Sequence, residues 1–277
     1  MTISILKNKR NTLITIILLF TALAFNHCNK PESVSKIKQS NFVYEDNVNG
    51  RIPPPNNVIE STNFYYNDNN LLERATVYDD TTSNAHLIKE LNISYASDRV
   101  IINTYLDTVG NIIYHITYND KKQVTSVTLG DTAGLHFSYF DDKVSEIIDD
   151  GADLVFVNFR YDNNDNLLQY ELKRNNFIIG RAVLEYSNEL LPSEFDSKFL
   201  NKDVRYIYIG GLDLISKLGL NLGKNTQNKL IRRTEIELPS NQIFETYNFG
   251  YTHNSKGDVV KRDVKFSTDT LYYQFKY

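Results

Sequence analysis

The sequence predicts an all-β fold, an antiparallel meander of repeated hairpins curled into a half-barrel or barrel, with one short helix near residues 211–219. The first observation is a recurring phrase: an aromatic or aliphatic residue, one spacer, a tyrosine, a polar turn and an aliphatic residue. It occurs at Phe64-Tyr65-Tyr66, Ile116-Thr117-Tyr118, Phe137-Ser138-Tyr139, Phe159-Arg160-Tyr161, Leu184-Glu185-Tyr186 and Phe249-Gly250-Tyr251. The residues that flank the spacer share one strand face, and the polar residues that follow favour a tight turn. Each phrase therefore predicts one β-hairpin.

The second observation is the spacing of these tyrosines. Tyr95, Tyr118, Tyr139, Tyr161 and Tyr186 follow one another at intervals of 23, 21, 22 and 25 residues. This length suits two strands and two turns, and a repeated unit of this size buries its apolar face only by stacking on its neighbours. We therefore expect one continuous sheet, with the repeat aromatics, among them Phe137 and Phe159, buried on one face.

Composition is the third observation. The chain has 277 residues, of which 41% are hydrophobic and 12% aromatic, with 19 Tyr, 15 Phe and no Trp. This is enough apolar material for one sizeable β core. The formal net charge is −4, which lacks the basic footprint of a nucleic-acid-binding protein. No nucleic-acid partner is expected.

The N-terminus has the features of an export signal. Lys7, Lys9 and Arg10 precede an apolar stretch, residues 13–25, that is too short for an ordinary membrane span. We interpret residues 1–27 as a signal peptide, so the protein is expected to be exported.

Two processing signals overlap at the end of this segment. Cys28 is the chain's one cysteine and lies just past the apolar stretch, where a bacterial lipoprotein has its lipid-modified residue. The residues before it, Phe25-Asn26-His27, depart from the small residue that usually precedes such a cysteine. The alternative signal is Ala22-Leu23-Ala24, a small-x-small site for ordinary secretory cleavage. Lipidation of Cys28 would make the membrane a partner through the lipid anchor, whereas secretory cleavage would give a soluble secreted or periplasmic protein.

The rest of the chain divides in two by composition. Residues 28–58 are rich in Ser, Lys and Asn and contain Pro53-Pro54-Pro55, which predicts a tether. Residues 59–277 are predicted to form a single β domain.

One segment interrupts the hairpin rhythm. Leu212, Ile215 and Leu218 lie at helical spacing between glycines, and a polar loop is expected over residues 220–229. Such a break is typical of a functional site or of a plug over a sheet edge. We therefore name as a possible ligand rim Tyr206, Tyr208, Leu212, Ile215 and Leu218.

Motifs for catalysis, metals and cofactors are weak. The histidines His27, His86, His115, His136 and His253 show no metal-binding helix spacing. Residues 162–166 resemble the start of a calcium loop, but Leu167 stands where Gly is needed and Lys173 where Glu is needed, so a turn is the better interpretation. We name no catalytic residue, no metal ligand and no cofactor.

The export segment, the tyrosine phrases, the glycine-flanked helix with Gly223-Lys224-Asn225 after it and the ending 251–277 together resemble the DUF4595 family of Bacteroidetes lipoproteins of unknown function, which have a porin-like fold. The resemblance covers roughly residues 59–277, and the phrases are also similar to YD repeats without their strict motif. It implies a curled antiparallel meander and no known activity.

Four Asp-Thr pairs resemble the sites at which exported Bacteroidetes proteins receive O-linked glycans. The possible acceptors are Thr81, Thr108, Thr132 and Thr270. Because Asp-Thr is also good turn sequence, a purely structural role is the alternative.

The function that these features favour is a non-catalytic binding or scaffold module of the cell envelope, anchored by lipid to the outer membrane, whose ligand or protein partner is not specified by any motif. Three alternatives remain: a carrier of a lipid or apolar ligand in a β cavity, a glycan-active extracellular enzyme, and an integral outer-membrane barrel. A large apolar cavity would favour the first, and two carboxylates facing one cleft the second. The alternating aromatics of residues 273–277 suggest the third.

Lipidation can be tested at Cys28. Cys28→Ala is expected to release the protein from the membrane fraction or to leave an unprocessed precursor, because the acceptor thiol is gone. Fractionation and intact-mass measurement of both proteins check this. A mature wild-type protein that begins at Phe25 would show secretory cleavage instead.

Overall fold

The structure is a computed structural model that describes residues 36–46, 58–79, 85–130, 132–200, 203, 207–267 and 269–277. The β domain is one compact unit from Ile37 to Tyr277. In chain order its strands are β1 Gln39–Asp46, β2 Val58–Tyr66, β3 Leu72–Asp79, β4 His86–Tyr95, β5 Arg99–Leu106, β6 Gly110–Tyr118, β7 Val124–Leu129, β8 Gly134–Phe140, β9 Lys143–Asp149, β10 Leu154–Tyr161, β11 Leu167–Arg174, β12 Phe177–Leu190, β13 Tyr208–Ile209, β14 Leu212–Asp213, β15 Asn228–Glu237, β16 Gln242–His253, β17 Val259–Phe266 and β18 Asp269–Lys276. A 3-10 turn spans Ser193–Phe195, and helix α1 spans Leu214–Lys217. None of the helices in the described ranges is long and apolar enough to cross a membrane.

Sixteen of these strands form one closed antiparallel barrel, and β13 and β14 form a separate two-stranded ribbon. Each barrel strand pairs with its neighbours in the chain, except where β12 pairs with β15 and where β1 closes the barrel on β18. The predicted all-β hairpin meander is therefore confirmed, and it closes as a full barrel.

The predicted tether is wrong for Gln39–Asp46. This segment forms β1 and pairs along its whole length with β18, from Gln39 opposite Lys276 to Asp46 opposite Asp269. Ser40 and Val43 are buried. The composition of the segment is polar, but pairing on both edges supplies the hydrogen bonds that make it a strand. Residues 1–35, including Cys28 and the predicted signal peptide, lie outside the described residues.

Four of the hairpins share one turn geometry, in which an Asn or Asp side chain accepts hydrogen bonds from two backbone N–H groups, two and four residues later. The turns begin at Asn67, Asn119, Asp162 and Asn254. The third residue after each has positive φ: Asn70, Lys122, Asp165 and Gly257. Such side-chain to backbone bonds are the reason that Asn and Asp favour turns.

The tyrosines of the repeat form a ring at this end of the barrel, which we call the tyrosine end. Near the end of every strand that runs towards it, a tyrosine hydroxyl donates to a backbone carbonyl within three residues of the start of the preceding strand, over 2.6–3.3 Å. The donors are Tyr66, Tyr95, Tyr118, Tyr139, Tyr161, Tyr186, Tyr251 and Tyr277, and the acceptors are Ile37, Leu72, Ala96, Val124, Val144, Leu167, Leu230 and Val259. We call each bond a tyrosine rung.

All acceptor residues except Ala96 are at most 1% exposed. The pairing register also shifts beside Tyr66, Tyr118, Tyr139, Tyr161 and Tyr186, as expected for a bulge. A buried carbonyl beside a bulge needs a donor. The tyrosine of the next hairpin supplies it.

Residues 191–227, between β12 and β15, fill part of the barrel interior. Phe195 packs against Phe275 of β18 at 5.0 Å between ring centroids, and Phe199 packs against Tyr170 of β11 at 5.7 Å. At Gly211, which has φ +74°, a Cβ would come within 2.5–2.7 Å of ring atoms of Tyr273. We call residues 191–227 the insert.

The structure confirms most expectations about the core and corrects one. Phe137 is buried, and Tyr118, Tyr139, Phe159 and Tyr161 are partly buried against the same core. Helix α1 lies within the predicted 211–219 range. The predicted loop over 220–229 is not a polar surface loop, since Leu220 and Leu222 are buried and Asn228 begins β15. Both leucines belong to the hydrophobic core inside the barrel.

The contribution of a tyrosine rung can be measured at Tyr161. Tyr161→Phe is expected to lower the free energy of unfolding by about 0.5–1.5 kcal/mol, because the buried Val144 carbonyl loses its donor. Tyr105→Phe is the control, since Tyr105 is 39% exposed and should change stability by less than about 0.5 kcal/mol. Urea unfolding compares the two. Equal losses would show that the rung hydrogen bond adds no stability.

Candidate functional site

A cavity of about 780 Å³ lies inside the barrel. Its walls come from β1–β5 and from β16–β18, and its floor comes from the insert through Ser197, Phe199, Tyr208 and Gly210. Asp107 and the exposed Thr108, in the turn between β5 and β6, also line it. The cavity therefore reaches the surface at the end of the barrel opposite the tyrosine rungs, which we call the mouth. Its volume falls within the range of small-molecule sites, about 300–1,000 Å³.

Aromatic rings make up much of the wall. Phe42 lies 5.2 Å from Tyr273 and Tyr247 lies 5.6 Å from Phe266, measured between ring centroids. All four rings are among the residues that line the cavity. The wall thus offers flat apolar surface to a ligand.

Two oppositely charged side chains, Glu60 of β2 and Lys89 of β4, stand on one wall. Burial raises the pKa of Glu60, and the charge of Lys89 opposes that rise. Burial lowers the pKa of Lys89, and the charge of Glu60 opposes that fall. Each group therefore helps to keep the other ionised in the apolar wall.

Arg262 of β17 also lines the cavity and is 6% exposed. Its Nε and Nη1 have no hydrogen-bond partner among the described residues. Its guanidinium carbon lies 5.7 Å from the centroid of the Tyr273 ring. The adjacent Asp263 pairs with Lys261 at 2.8 Å and does not reach Arg262. Arg262 is therefore a buried charge that no counter-charge touches among the described residues.

Beneath the cavity, charged groups of the insert are paired. Arg233 of β15 forms ion pairs with Asp203 of the insert and, at 3.0 Å, with Glu235. Lys217 of α1 pairs with Glu194 at 2.9 Å and donates to Tyr66 Oη at 3.0 Å. Paired in this way, buried charges fix the position of the insert in the barrel.

The structure places the predicted rim residues in two groups. Tyr208 lines the cavity, and its hydroxyl donates to the Asp196 carbonyl at 2.5 Å. Leu212, Ile215 and Leu218 are at most 2% exposed and pack in the core below the cavity, so they do not line it. Tyr206 lies outside the described residues.

Three of the possible glycan acceptors, Thr108, Thr132 and Thr270, lie in or beside turns at the mouth end of the barrel. Thr108 and Thr132 are exposed in turns, which is the accessibility that modification needs. Thr270 is 9% exposed and paired within β18, so its hydroxyl is poorly accessible. Thr81 lies outside the described residues. Glycosylation stays a prediction at all four threonines, and accessibility favours Thr108 and Thr132 among the described ones.

Two of the histidines contact an acidic side chain: His86 contacts Asp107 at 2.8 Å, and His136 contacts Asp150 at 2.9 Å, with all four side chains exposed. The predicted turn at residues 162–166 is present, and its Asp162 side chain accepts from the N–H groups of Asn164 and Asn166. Within the described ranges, no group of three or more His, Cys, Asp or Glu side chains is placed to hold a metal ion.

The charged wall residues were not predicted from the sequence. Lys89 precedes Leu91 and Ile93 at strand period, and this pattern places it on the core face. Arg262 has the same relation to Val264 and Phe266. A basic residue in register with buried apolar residues was therefore the available signal.

Comparisons with known proteins show the fold. A porin-like protein from Bacteroides uniformis ATCC 8492 is similar with a TM-score of 0.58 and 18% identity, over 87% of this chain and 98% of that one. A porin-like protein from Bacteroides vulgatus ATCC 8482 is similar with a TM-score of 0.53 and 8% identity, over 88% of this chain and 99% of that one. No protein-family model matches the chain, and no curated protein is similar to it. The porin-like fold is thus confirmed, whereas membership of the DUF4595 family stays a resemblance.

The stability of the folded state is expected to depend on pH through Asp213, the residue before α1 in the insert that forms the floor of the cavity. Burial and the nearby Asp196 raise the pKa of Asp213 to about 8, against Lys198 and Lys217, which lower it. The folded state therefore holds a proton that the unfolded state releases between about pH 4 and pH 8. Stability contributed by this group falls as the pH rises through that window.

Asp213→Asn removes this titration and keeps an oxygen that accepts from the Ile215 N–H. Between pH 5 and pH 8, the melting temperature of the wild type should fall relative to that of the variant. The fall should exceed about 2–4 °C, which is the shift that 1 kcal/mol produces in a domain of this size. Asp120→Asn, at an exposed turn position, is the control for the removal of one carboxylate from the chain. A difference between Asp213→Asn and the wild type that stays constant from pH 5 to pH 8 would contradict a proton held at Asp213.

Proposed function

We propose that this protein is a non-catalytic binding module of the cell envelope that takes a small, largely apolar ligand into the mouth of its barrel. The observation that carries this proposal is the cavity of about 780 Å³ with aromatic and aliphatic walls. Ligand sites are typically concave and apolar, with few polar groups that orient the ligand. Glu60, Lys89 and Arg262 are such groups. Among the binding functions that the sequence leaves open, a cavity of this kind favours the carrier of an apolar ligand.

Envelope localisation rests on the N-terminal segment. The basic residues, the apolar stretch and Cys28 support export followed by lipid anchoring to the outer membrane. In this form the membrane is a partner through the anchor, and the barrel stays free to bind its ligand. Secretory cleavage at Ala22-Leu23-Ala24 would give the same module in soluble form.

The outer face of the barrel argues against an integral membrane barrel. It carries ion pairs between neighbouring strands, Arg74–Glu90, Arg181–Glu171 and Arg232–Glu185, at 2.8–3.9 Å. A barrel embedded in lipid needs an outward apolar band about 25 Å tall. Charge pairs across several strands interrupt such a band.

The charged groups of the cavity favour binding over glycan hydrolysis. Glu60 and Asp107 are the carboxylates among the described lining residues. Glu60 is coupled to Lys89, and Asp107 contacts His86 at the exposed turn. Hydrolysis of a glycosidic bond needs a protonated and an ionised carboxyl on either side of it. The charge of Lys89 favours the ionised form of Glu60.

Binding can be tested with N-phenyl-1-naphthylamine, a neutral aromatic probe that fluoresces in apolar surroundings. The purified wild type should bind it. Leu271→Trp should weaken binding by about tenfold or more, because the larger side chain occupies the cavity that Leu271 lines.

Ile113→Trp is the matched control, since Ile113 is 44% exposed on the outer face of β6. It should bind the probe like the wild type. Circular dichroism and thermal melting establish that both variants are folded. Absence of binding to the wild type, or equal binding by both variants, would contradict a ligand site in the cavity.

A further inference from the structure

Two arginines that face the barrel interior, Arg233 and Arg262, have different surroundings. Arg233 is 1% exposed and meets the carboxylates of Asp203 and Glu235. It also donates to the Lys198 carbonyl at 3.3 Å. Arg262 is 6% exposed, and its Nε and Nη1 have no protein acceptor among the described residues. Carboxylates of the protein therefore neutralise Arg233, whereas Arg262 has no such partner among the described residues.

The orientation of Arg262 follows from the register of β17. Val264 and Phe266 line the cavity from the same strand, two and four residues later, so Arg262 lies on the inward face. The acid next in sequence, Asp263, belongs to the outer face and pairs with Lys261. Asp263 is thus prevented by strand alternation from serving as the counter-ion.

Burial of an uncompensated guanidinium is strongly unfavourable, and such groups in folded proteins usually have a partner. Guanidinium presents several N–H donors in a planar fork that matches a carboxylate. The surroundings of Arg262 are apolar and aromatic, with Tyr273 beside it and Phe249 and Phe266 among the other lining rings. A partner for this site needs an anionic head and an apolar body.

We infer that the cavity binds an amphipathic organic anion, an alkyl or aryl carboxylate, whose carboxylate pairs with Arg262 and whose apolar body lies against the aromatic wall. This inference rests on the proposed function, because it names the class of ligand that the cavity takes. Lys89 also lines the cavity, and the charge of Glu60 offsets that of Lys89. Arg262 is therefore the lining cation that has no carboxylate in contact with it among the described residues.

The test compares charged and neutral ligands of matched shape by calorimetric titration of the purified protein. The pairs are dodecanoate with 1-dodecanol, and 2-naphthoate with 2-naphthalenemethanol. In at least one pair the carboxylate should bind about tenfold or more tightly than the alcohol. The pair that shows the larger difference identifies an alkyl or an aryl body.

Arg262→Met removes the charge and keeps much of the length of the side chain. It should abolish the preference for the carboxylate while binding of the alcohol stays within about twofold. Arg232→Met is the control, because Arg232 is an exposed outer-face arginine paired with Glu185. It should keep the preference.

Thermal melting of the ligand-free proteins gives a second, independent result. If Arg262 has no partner in the empty protein, Arg262→Met should melt at the same temperature as the wild type or higher. A markedly lower melting temperature would show a protein partner for Arg262 and overturn the inference.

Binding of alcohol and carboxylate with equal affinity, or a preference that survives Arg262→Met, would also overturn it. In both cases the proposed apolar site would stand. Failure of all four ligands and of the neutral naphthylamine probe to bind would overturn the proposed function as well.

Discussion

A closed barrel of sixteen strands is wider than its own inward side chains can fill. Eight strands enclose a space that side chains fill by themselves, whereas sixteen to eighteen leave a channel. In this protein the excess volume is taken up by the insert, which brings Phe195, Phe199, Leu212 and Ile215 into the interior. The insert stops short of one end, and the unfilled remainder is the cavity. The site is therefore a consequence of barrel width and insert length together.

The two ends of the barrel have different roles. At the tyrosine end, the rungs tie each hairpin to the one before it, and the insert adds bridges from Asn221 to Gln123 and from Gly223 to Lys143. Backbone groups at this end are thus held by repeated, sequence-encoded contacts. The mouth carries no such ring in the described residues, and its exposed turn residue Thr108 belongs to the cavity lining. A ligand consequently has access from the mouth, while the tyrosine end maintains the shape of the barrel.

The sequence was informative about the architecture because the hairpin unit is local. An Asn or Asp after a tyrosine and a buried aliphatic residue after the turn, as at Tyr118, Asn119 and Val124, lie within a few residues of each other. That each tyrosine hydroxyl bonds to the previous hairpin is a contact across about twenty residues, as from Tyr186 to Leu167. The repeated phrase in the sequence does not indicate which carbonyl accepts this hydrogen bond. Strand β1 was missed for a related reason, since it pairs with β18, which lies more than two hundred residues later in the chain and is the last strand of the barrel.

The candidate site was less predictable because it depends on which inward positions lack a partner. Arg233 and Arg262 both alternate with buried residues. Their own strands distinguish them in part, because Arg233 has Glu235 two residues later on the same face and Arg262 has Val264 at that position. The insert adds to this difference, because it delivers Asp203 to Arg233. Its described residues that line the cavity carry no charge: Ser197, Phe199, Leu200, Tyr208, Ile209, Gly210 and Gly211. Had the insert carried a second acid to the upper wall, Arg262 would be one more structural ion pair. Instead, the paired charges hold the insert in place, and the unpaired one faces the space that the insert leaves open. In this barrel, buried arginines therefore serve both stability and ligand recognition. Which role an arginine has depends on whether the insert and the strand itself place a carboxylate beside it.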